Sequence, residues 1–535
     1  RGSCVRLCRV MAYGAGVQRL VLAVLGGLAV ALAFPTTSLW GLAPVGLALI
    51  GLATCGAGWA RGGTLGYVAG LAVFLPTLSW AGIYVGTLPW LALSGLQAVA
   101  VAGVGALHGG LTGARPGVAR VRPVVLAVSW VVAESLRGRL PYGGFPWVLL
   151  GTSQADSPFG RLAPVAGTAG IGFAVAVCGG LLGYAVQARG RGRTSLAALV
   201  TAAAALFAGL VVQLPVDGPM VSVLGVQGNV PRPGLDFNAE RRAVLDNHVR
   251  ATMAAADEVA AGTRAHPDLV VWPENSSDID PTRNPDADAV IRQAVDRIGA
   301  PVIVGTLTDD GTVLHNVSFT YAPGEGVVAQ YVKQHPVPFA EYIPDRAFWR
   351  RLSSAVDLLP RDYSPGEGRG IVTASTASGA TVRAGLSICF EVAYADLVRD
   401  VVTHGANLLV VQTNNATFGY TAESEQQLAV SRIRAMEFGR SVVHVSTVGV
   451  SALVTPDGTP HLTSSLFTTA LLSGVLPLRD DLTLAARLGQ WPELLAAALL
   501  LGLAAAHTAG WRGGLRRSGG QRHTGSKEGS HADDR

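Results

Sequence analysis

A thiol, a carboxylate and an amine each stand in this chain at the exit of an apolar, β-prone run. Cys389 closes the stretch Leu386-Ser387-Ile388-Cys389-Phe390-Glu391, where a buried strand ends and a side chain can be presented to a cleft. A thiol placed there can act as a nucleophile, although free cysteine is among the most buried residue types and this stretch alone favours a core residue. Glu274 follows Val270-Val271-Trp272-Pro273, and a carboxylate after a buried strand is poorly solvated, which raises its proton affinity and suits it to general-base work. Lys333 ends Tyr331-Val332 and leads into a proline-rich segment that reaches Glu341, too irregular for helix or strand. Taken singly, Glu274 also reads as a helix cap and Lys333 as a surface charge.

The elements that must position these groups come from the same region. Strands are expected at 220–227, 268–272, 301–307, 313–321, 326–332, 381–388, 407–413 and 442–448. Helices are expected at 238–261, 285–298, 392–404 and 422–438. Such alternation predicts an α/β layered domain whose sites form at the carboxyl ends of strands, where all three groups fall.

The rest of the chain is of another kind. With 535 residues, 49% of them apolar and only 14% charged, and a mean hydropathy of +0.38, the chain is too apolar for a soluble enzyme. Runs long enough to cross a bilayer are expected at about 17–34, 39–57, 64–86, 89–112, 122–137, 164–187, 194–214 and 490–510, giving about eight spans. The first also resembles a cleavable signal segment, but further spans follow at once and favour a retained helix. The net charge of +5 comes from arginines in short loops and the C-terminal tail, a pattern that orients a membrane protein rather than gripping nucleic acid. Arg61, then Arg115, Arg120 and Arg122, then Arg189, Arg191 and Arg193 lie in alternate connections. Both termini are therefore expected to be cytoplasmic and the α/β domain extracytoplasmic.

The division read from this is 1–16 as an N-terminal cytoplasmic segment, 17–215 as a seven-helix membrane domain, 216–486 as the catalytic domain, 487–510 as a final span and 511–535 as a disordered tail. The five cysteines are too scattered for a disulfide framework, and no Cys/His spacing suits a metal. Glu134, near the end of an apolar run, is a functional candidate or simply reaches the interface. The loop Pro141 to Trp147 reads as aromatic anchors or as a lipid gate.

Read in order, Val-Trp-Pro-Glu-Asn-Ser, then Lys333-x-His-x-Val-Pro-Phe-x-Glu341-Tyr-x-Pro, then Ile-Cys389-Phe-Glu resembles the carbon-nitrogen hydrolase (nitrilase) superfamily with its Glu-Lys-Cys triad. With the preceding and following spans and Gly144-Phe145-Pro146-Trp147, residues 17–510 resemble the apolipoprotein N-acyltransferase family of bacteria. The resemblance implies a nitrilase-like αββα sandwich on a polytopic membrane domain in the bacterial plasma (inner) membrane. It implies transfer of a phospholipid acyl chain to the N-terminal diacylglyceryl-cysteine of apolipoproteins, the last step of lipoprotein maturation, with no cofactor, no metal and no nucleic acid.

Carried over onto matching positions, Cys389 is the nucleophile that forms a thioester, Glu274 the general base, Lys333 the oxyanion stabiliser and Glu341 a supporting carboxylate. Phe390, Glu391, Phe145, Trp147 and Phe237 are expected to contact substrate. Two positions depart from the family pattern: Asn415 and Thr417 stand where Asn-Asp-x-Trp-Phe-Gly would place an acid and a tryptophan. That change bears on substrate selectivity and lid packing rather than on the triad.

Other readings stay open at this level. A membrane-tethered amidase would use the same three groups with water as acceptor, in a wet cleft. A Cys-His enzyme would need His315, His335, His404 or His444 in a motif that none of them has. A transporter or scaffold carrying a decayed enzyme domain would form no acyl-enzyme.

Overall fold

The computed structural model describes residues 2–113, 118–231, 240–375, 379 and 381–520. Helices α1 (Gly2–Ala31), α2 (Leu42–Thr54), α3 (Trp59–Thr77), α4 (Thr87–Leu111), α5 (Arg122–Arg137), α6 (Ala163–Gln187) and α7 (Gly192–Phe207) form a bundle. Its tightest pair is α3 with α4. A Cβ on Gly62 or Gly66 would collide with the α4 backbone, and one on Gly70 would lie 2.8 Å from Ala98 Cα. Glycines four residues apart thus let two backbones meet, which is how helices associate where no hydrophobic drive separates them from lipid.

Among the described residues, four segments are long and apolar enough to cross a membrane by length and composition: Thr87–Leu111, Gly160–Gln187, Gly192–Val211 and Trp491–Thr508. Gly16–Ala31 and Leu42–Thr54 are apolar but shorter. Helices therefore stand near all eight expected spans, but length and composition support crossing for four of them. The run expected at 64–86 is broken after Thr77 by a 3-10 turn at Ser79–Gly82, and α5 is only 16 residues long and carries Glu134 and Arg137.

From Met220 the chain builds two six-stranded sheets. The first has the order β12-β1-β2-β3-β4-β5 and the second β11-β10-β9-β8-β7-β6. Strands β1 (Met220–Gln227), β2 (Leu269–Val271), β3 (Val302–Asp309), β4 (Leu314–Ala322) and β5 (Gly326–Val332) follow in chain order. So do β6 (Ile371–Ser375), β7 (Thr381–Ile388), β8 (Leu408–Thr413), β9 (Ser441–Ser446), β10 (Ala452–Val454), β11 (Pro460–His461) and β12 (Ala470–Pro477). Centres β1-β2-β3 and β7-β8-β9 are parallel and the edges antiparallel.

Strand alternation sorts the core into layers. Val221 and Val223 face Leu386, Val410 and Val443 between the sheets. Leu224 and Val226 face outward onto α8 (Arg241–Ala260) and α9 (Pro285–Ile298). After the short α10 (Arg346–Trp349), α11 (Ala395–Thr403) and α12 (Glu423–Phe438) cover the second sheet. The result is the expected αββα sandwich.

Four strands, β6, β10, β11 and β12, were not expected. β10 and β11 are too short to show a period, and β12 finds its partner β1 across some 250 residues of chain, which no local pattern reveals. Helix α13 (Leu484–Leu488) leads into α14 (Trp491–Gly520), which runs past the expected end of the last span at 510. Residues 521–535 of the expected tail lie outside the described residues.

Candidate active site

Glu274 is held by its own backbone. The Trp272 N–H donates to Ile303 O at 2.8 Å, Ser276 Oγ donates to Gly305 O at 2.9 Å and Thr447 Oγ1 donates to Glu274 O at 2.7 Å. Asn275 then takes a left-handed turn at φ 56°. Gly305 is the residue that lets this exit lie against β3, since a Cβ there would sit 2.7 Å from Glu274 Cα and closer still to Pro273 O.

Lys333 follows β5 and is 1% exposed, with its N–H on Asn316 O at 2.9 Å. Its Nζ donates to Glu341 Oε1 at 2.9 Å and to Glu274 Oε1 at 3.3 Å. Asn316 Nδ2 ties the same two carboxylates together, at 2.7 Å to Glu274 and 3.1 Å to Glu341. The second oxygen of Glu341 accepts the Val337 N–H at 2.7 Å, so the proline-rich segment is clamped to the groups it serves.

Cys389 turns the chain out of β7 with φ 56° and begins a 3-10 turn, Cys389–Ala393. This is the left-handed region that non-glycine residues adopt at a cost and that clusters at functional sites. Its sulfur lies 3.4 Å from Thr413 Oγ1 and accepts from Gln427 Nε2 at 3.7 Å. The turn is secured by Glu391, which was expected to contact substrate. Glu391 is instead fully buried, and its carboxylate accepts from the N–H groups of Ile388 (2.8 Å), Gln334 (2.7 Å) and His335 (3.1 Å) and from the Tyr331 hydroxyl (2.9 Å). It welds the thiol turn to the residues after Lys333 and has no oxygen to spare for a ligand.

The charges are coupled. Burial raises the proton affinity of Glu274, Lys333 lowers it, Glu341 raises it again, and hydrogen bonds from Asn316 and the Cys389 thiol lower it. Burial opposes the Lys333 charge, but the carboxylates of Glu341 and Glu274 outweigh it and hold the ammonium well above its usual value. Burial and then the Glu274 charge push the Cys389 thiol far above the usual range, with Lys333 pulling the other way. A thiol held neutral by burial, close to a carboxylate and a fixed cation, is a group whose proton such a carboxylate could take during an attack.

The aromatic residues expected at the site meet, but as packing. Phe390 stacks on Phe145 and on Trp147 with centroids 5.3 Å apart in each case, and Trp147 is 1% exposed. Of the three only Phe145 keeps partial exposure. Phe237 lies outside the described residues.

Glu134 is mostly buried, and its partners belong to the bundle half. It pairs with Arg137 at 3.7 Å and accepts the Leu150 N–H at 2.7 Å. Sequence reasoning passed over Asn316, Thr413 and Gln427. Thr413 could have been found by the rule that picked the triad, since it too ends a parallel strand; Asn316 and Gln427 lie inside a strand and a helix, where no local signal marks them.

An αββα sandwich with Glu, Lys and Cys at strand exits is the arrangement of a carbon-nitrogen hydrolase, and residues 225–480 match that family. Residues 26–181 match the apolipoprotein N-acyltransferase N-terminal domain. The chain is 38% identical over 522 residues to the apolipoprotein N-acyltransferase of Mycolicibacterium smegmatis, covering 91% of this chain and 85% of the relative. It is 28% identical over 496 residues to that of Photobacterium profundum, covering 89% and 92%. The solved structure of an amidase from Nesterenkonia sp. overlays with a TM-score of 0.35 at 18% identity, covering 51% of this chain and 95% of that one. The chain belongs to the apolipoprotein N-acyltransferase family.

Proposed function

We propose that this enzyme transfers an acyl chain from a phospholipid to the N-terminal α-amino group of a diacylglyceryl-cysteine apolipoprotein, by a ping-pong route through a Cys389 thioester. Glu274 takes the thiol proton as the sulfur attacks the ester carbonyl, and Lys333 Nζ faces the oxyanion that forms. The tetrahedral species collapses with expulsion of the glycerol oxygen, which takes the proton from Glu274 and leaves as lysophospholipid. In the second half the amine attacks the thioester, Glu274 accepts its proton, and Cys389 departs as thiolate and is reprotonated. A donor placed on an oxyanion contributes about 3–4 kcal/mol in comparable sites. Splitting one ester-to-amide exchange across a thioester replaces a hard step by two easier ones.

The observation that carries this reading is the enclosed Glu274–Lys333–Glu341 cluster at the thiol turn, in a domain docked on a membrane bundle. The segment after Glu341 supports a lipid substrate, since Phe348, Leu352 and Leu358 are more than half exposed beside Arg346 and Arg350. The arginine pattern of the loops supports a plasma-membrane enzyme with its sandwich on the extracytoplasmic face.

Intact mass of the detergent-purified chain after incubation with phospholipid tests it. Wild type gains one acyl chain and Cys389→Ala gains none. Release of fatty acid without an adduct, or of ammonia from test amides, turns the reading to a hydrolase.

A further inference from the structure

Behind the sulfur of Cys389 runs a chain of buried amides that ends on a carboxyl the triad does not use. Asn415, just past β8, is 1% exposed, and Glu423, which opens α12, is 3% exposed. Asn415 Nδ2 donates to Glu423 Oε2 at 2.6 Å and to Gln427 Oε1 at 3.0 Å, which commits both of its hydrogens. Its Oδ1 accepts from Ser446 Oγ at 2.6 Å. Gln427 Oε1 also accepts from Thr413 Oγ1 at 2.7 Å, so the oxygen end of that amide faces two donors and the nitrogen end faces Cys389 Sγ at 3.7 Å.

The direction of this chain depends on its far end. Asn and Gln amides present a donor or an acceptor according to which way they are turned. A carboxyl at 423 offers Asn415 an acceptor in either protonation state. With no acceptor there, Asn415 is free to turn its oxygen toward Gln427, and Gln427 in turn presents its own oxygen to the sulfur, where a thiolate must develop.

We propose that Glu423 is a positioning residue of the acyl-transfer centre: acting through Asn415 and Gln427, it keeps a side-chain N–H aimed at the sulfur of Cys389. The inference rests on the reading of Cys389 as the nucleophile. The groups that titrate against Glu423 are Glu274 from the β2 exit and Cys389 from the turn after β7. Burial raises the Glu423 carboxyl to about 8, with the Asn415 hydrogen bond opposing and Glu274 reinforcing. At neutral pH the residue therefore orients without adding charge. Above about pH 8 it ionises and opposes the thiolate.

The test is alkylation of Cys389 in the full chain by iodoacetamide, followed at the Cys389 peptide by mass spectrometry from pH 6 to 10, with thermal melting recorded for each variant. Glu423→Leu, of similar volume but without an acceptor, is expected to alkylate about tenfold more slowly at pH 7, a loss the size of one positioned hydrogen bond, and to lower kcat with KM for phospholipid unchanged. Glu423→Gln, which keeps an acceptor and no charge, is expected to hold the neutral-pH rate and to lose the flattening of the wild-type profile above pH 8. A well-folded Leu variant alkylating at the wild-type rate overturns the proposal. If that variant does not fold, the Gln variant decides, and a flattening that persists in it overturns the proposal as well. A wild-type chain that forms no acyl adduct with phospholipid defeats the nucleophile reading instead, and the alkylation profiles still report whether residue 423 governs the thiol.

Discussion

Lys333 lies between two carboxylates, 3.3 Å from Glu274 and 2.9 Å from Glu341, and the proposed mechanism assigns the base to Glu274. Their unequal settings separate the roles. Glu274 hydrogen-bonds the thiol, whereas Glu341 is tied through its other oxygen to the Val337 N–H. The like charge of Glu341 raises the proton affinity of Glu274, so Glu341→Gln removes a repulsion and lowers it. The base is then ionised at lower pH, and the acid limb of the acylation rate moves down in pH. The plateau rate falls as well, by about tenfold to a hundredfold, because Lys333 and the proline-rich segment lose an anchor. Pre-steady-state acylation measured across pH checks both effects, and an acid limb that moves up contradicts the assignment of Glu274 as base. That Glu274, Lys333 and Cys389 come together was readable from the chain because each stands after an apolar run, and Glu341 was readable from the order of the three motifs. Glu391 was misread because adjacency to the nucleophile says nothing about which way a side chain points; four donors folded in from β5 and β7 decide that.

The elements that deliver these groups depend on two close fits. At Gly305 the β3 backbone touches the β2 exit, and a Cβ there would lie 2.7 Å from Glu274 Cα. Gly305→Ala is expected to displace Glu274 by a fraction of an ångström and lower kcat by about a hundredfold, since misplacement on that scale is enough to spoil an aligned site. Unchanged kinetics in this variant would mean the strand exit can yield without moving the carboxylate. The second fit is Arg137 at the end of α5. It donates to Phe145 O (3.1 Å), Trp147 O (2.8 Å), Val148 O (2.7 Å) and Gln97 Oε1 (3.0 Å), and so pins the Phe145–Trp147 segment to α4 and α5, beneath Phe390 of the sandwich. Arg137→Leu takes the donor from those carbonyls and the cation from Glu134, which keeps only neutral donors such as the Leu150 N–H, at a cost of about 3–5 kcal/mol. A clear drop in the melting temperature of the detergent-solubilised variant is the expected result. The strands and helices that bring Glu274, Lys333 and Cys389 together were legible because their apolar period changes at turns. β10, β11 and β12 were not, because short or distant pairings leave no local mark.

At the scale of the molecule, membrane bundle and sandwich share one core. Phe390, Ala393, Ile433 and Met436 of the sandwich are buried together with Trp80, Trp147 and Phe159 of the bundle half. Both indole N–H groups, of Trp80 (3.2 Å) and Trp147 (2.8 Å), donate to Gln426 Oε1 on α12. Arg434 donates to Thr168 Oγ1 at 2.9 Å, and Glu437 accepts the Thr168 N–H at 3.2 Å. Composition announced a membrane half, but it could not say that the third run would break after Thr77 or that α5 would be only 16 residues long, since a run of apolar residues looks the same whether it faces lipid or a neighbouring helix. The shared core has a consequence for the catalytic half alone. Residues 216–486 hold Glu274, Lys333, Glu341 and Cys389, yet separated from the bundle they expose Phe390 and Ile433, each worth about 2–3 kcal/mol of lost burial, and leave the Arg434–Glu437 pair without Thr168. That fragment is expected to elute as aggregate, to bind an apolar dye strongly and to take no acyl chain from phospholipid vesicles. The expectation follows because Phe390 is the residue next to the nucleophile, so loosening the docking face loosens the thiol turn itself. A monomeric fragment that acylates at the rate of the full chain would reduce the bundle to a tether and place everything needed for lipid recognition in the sandwich.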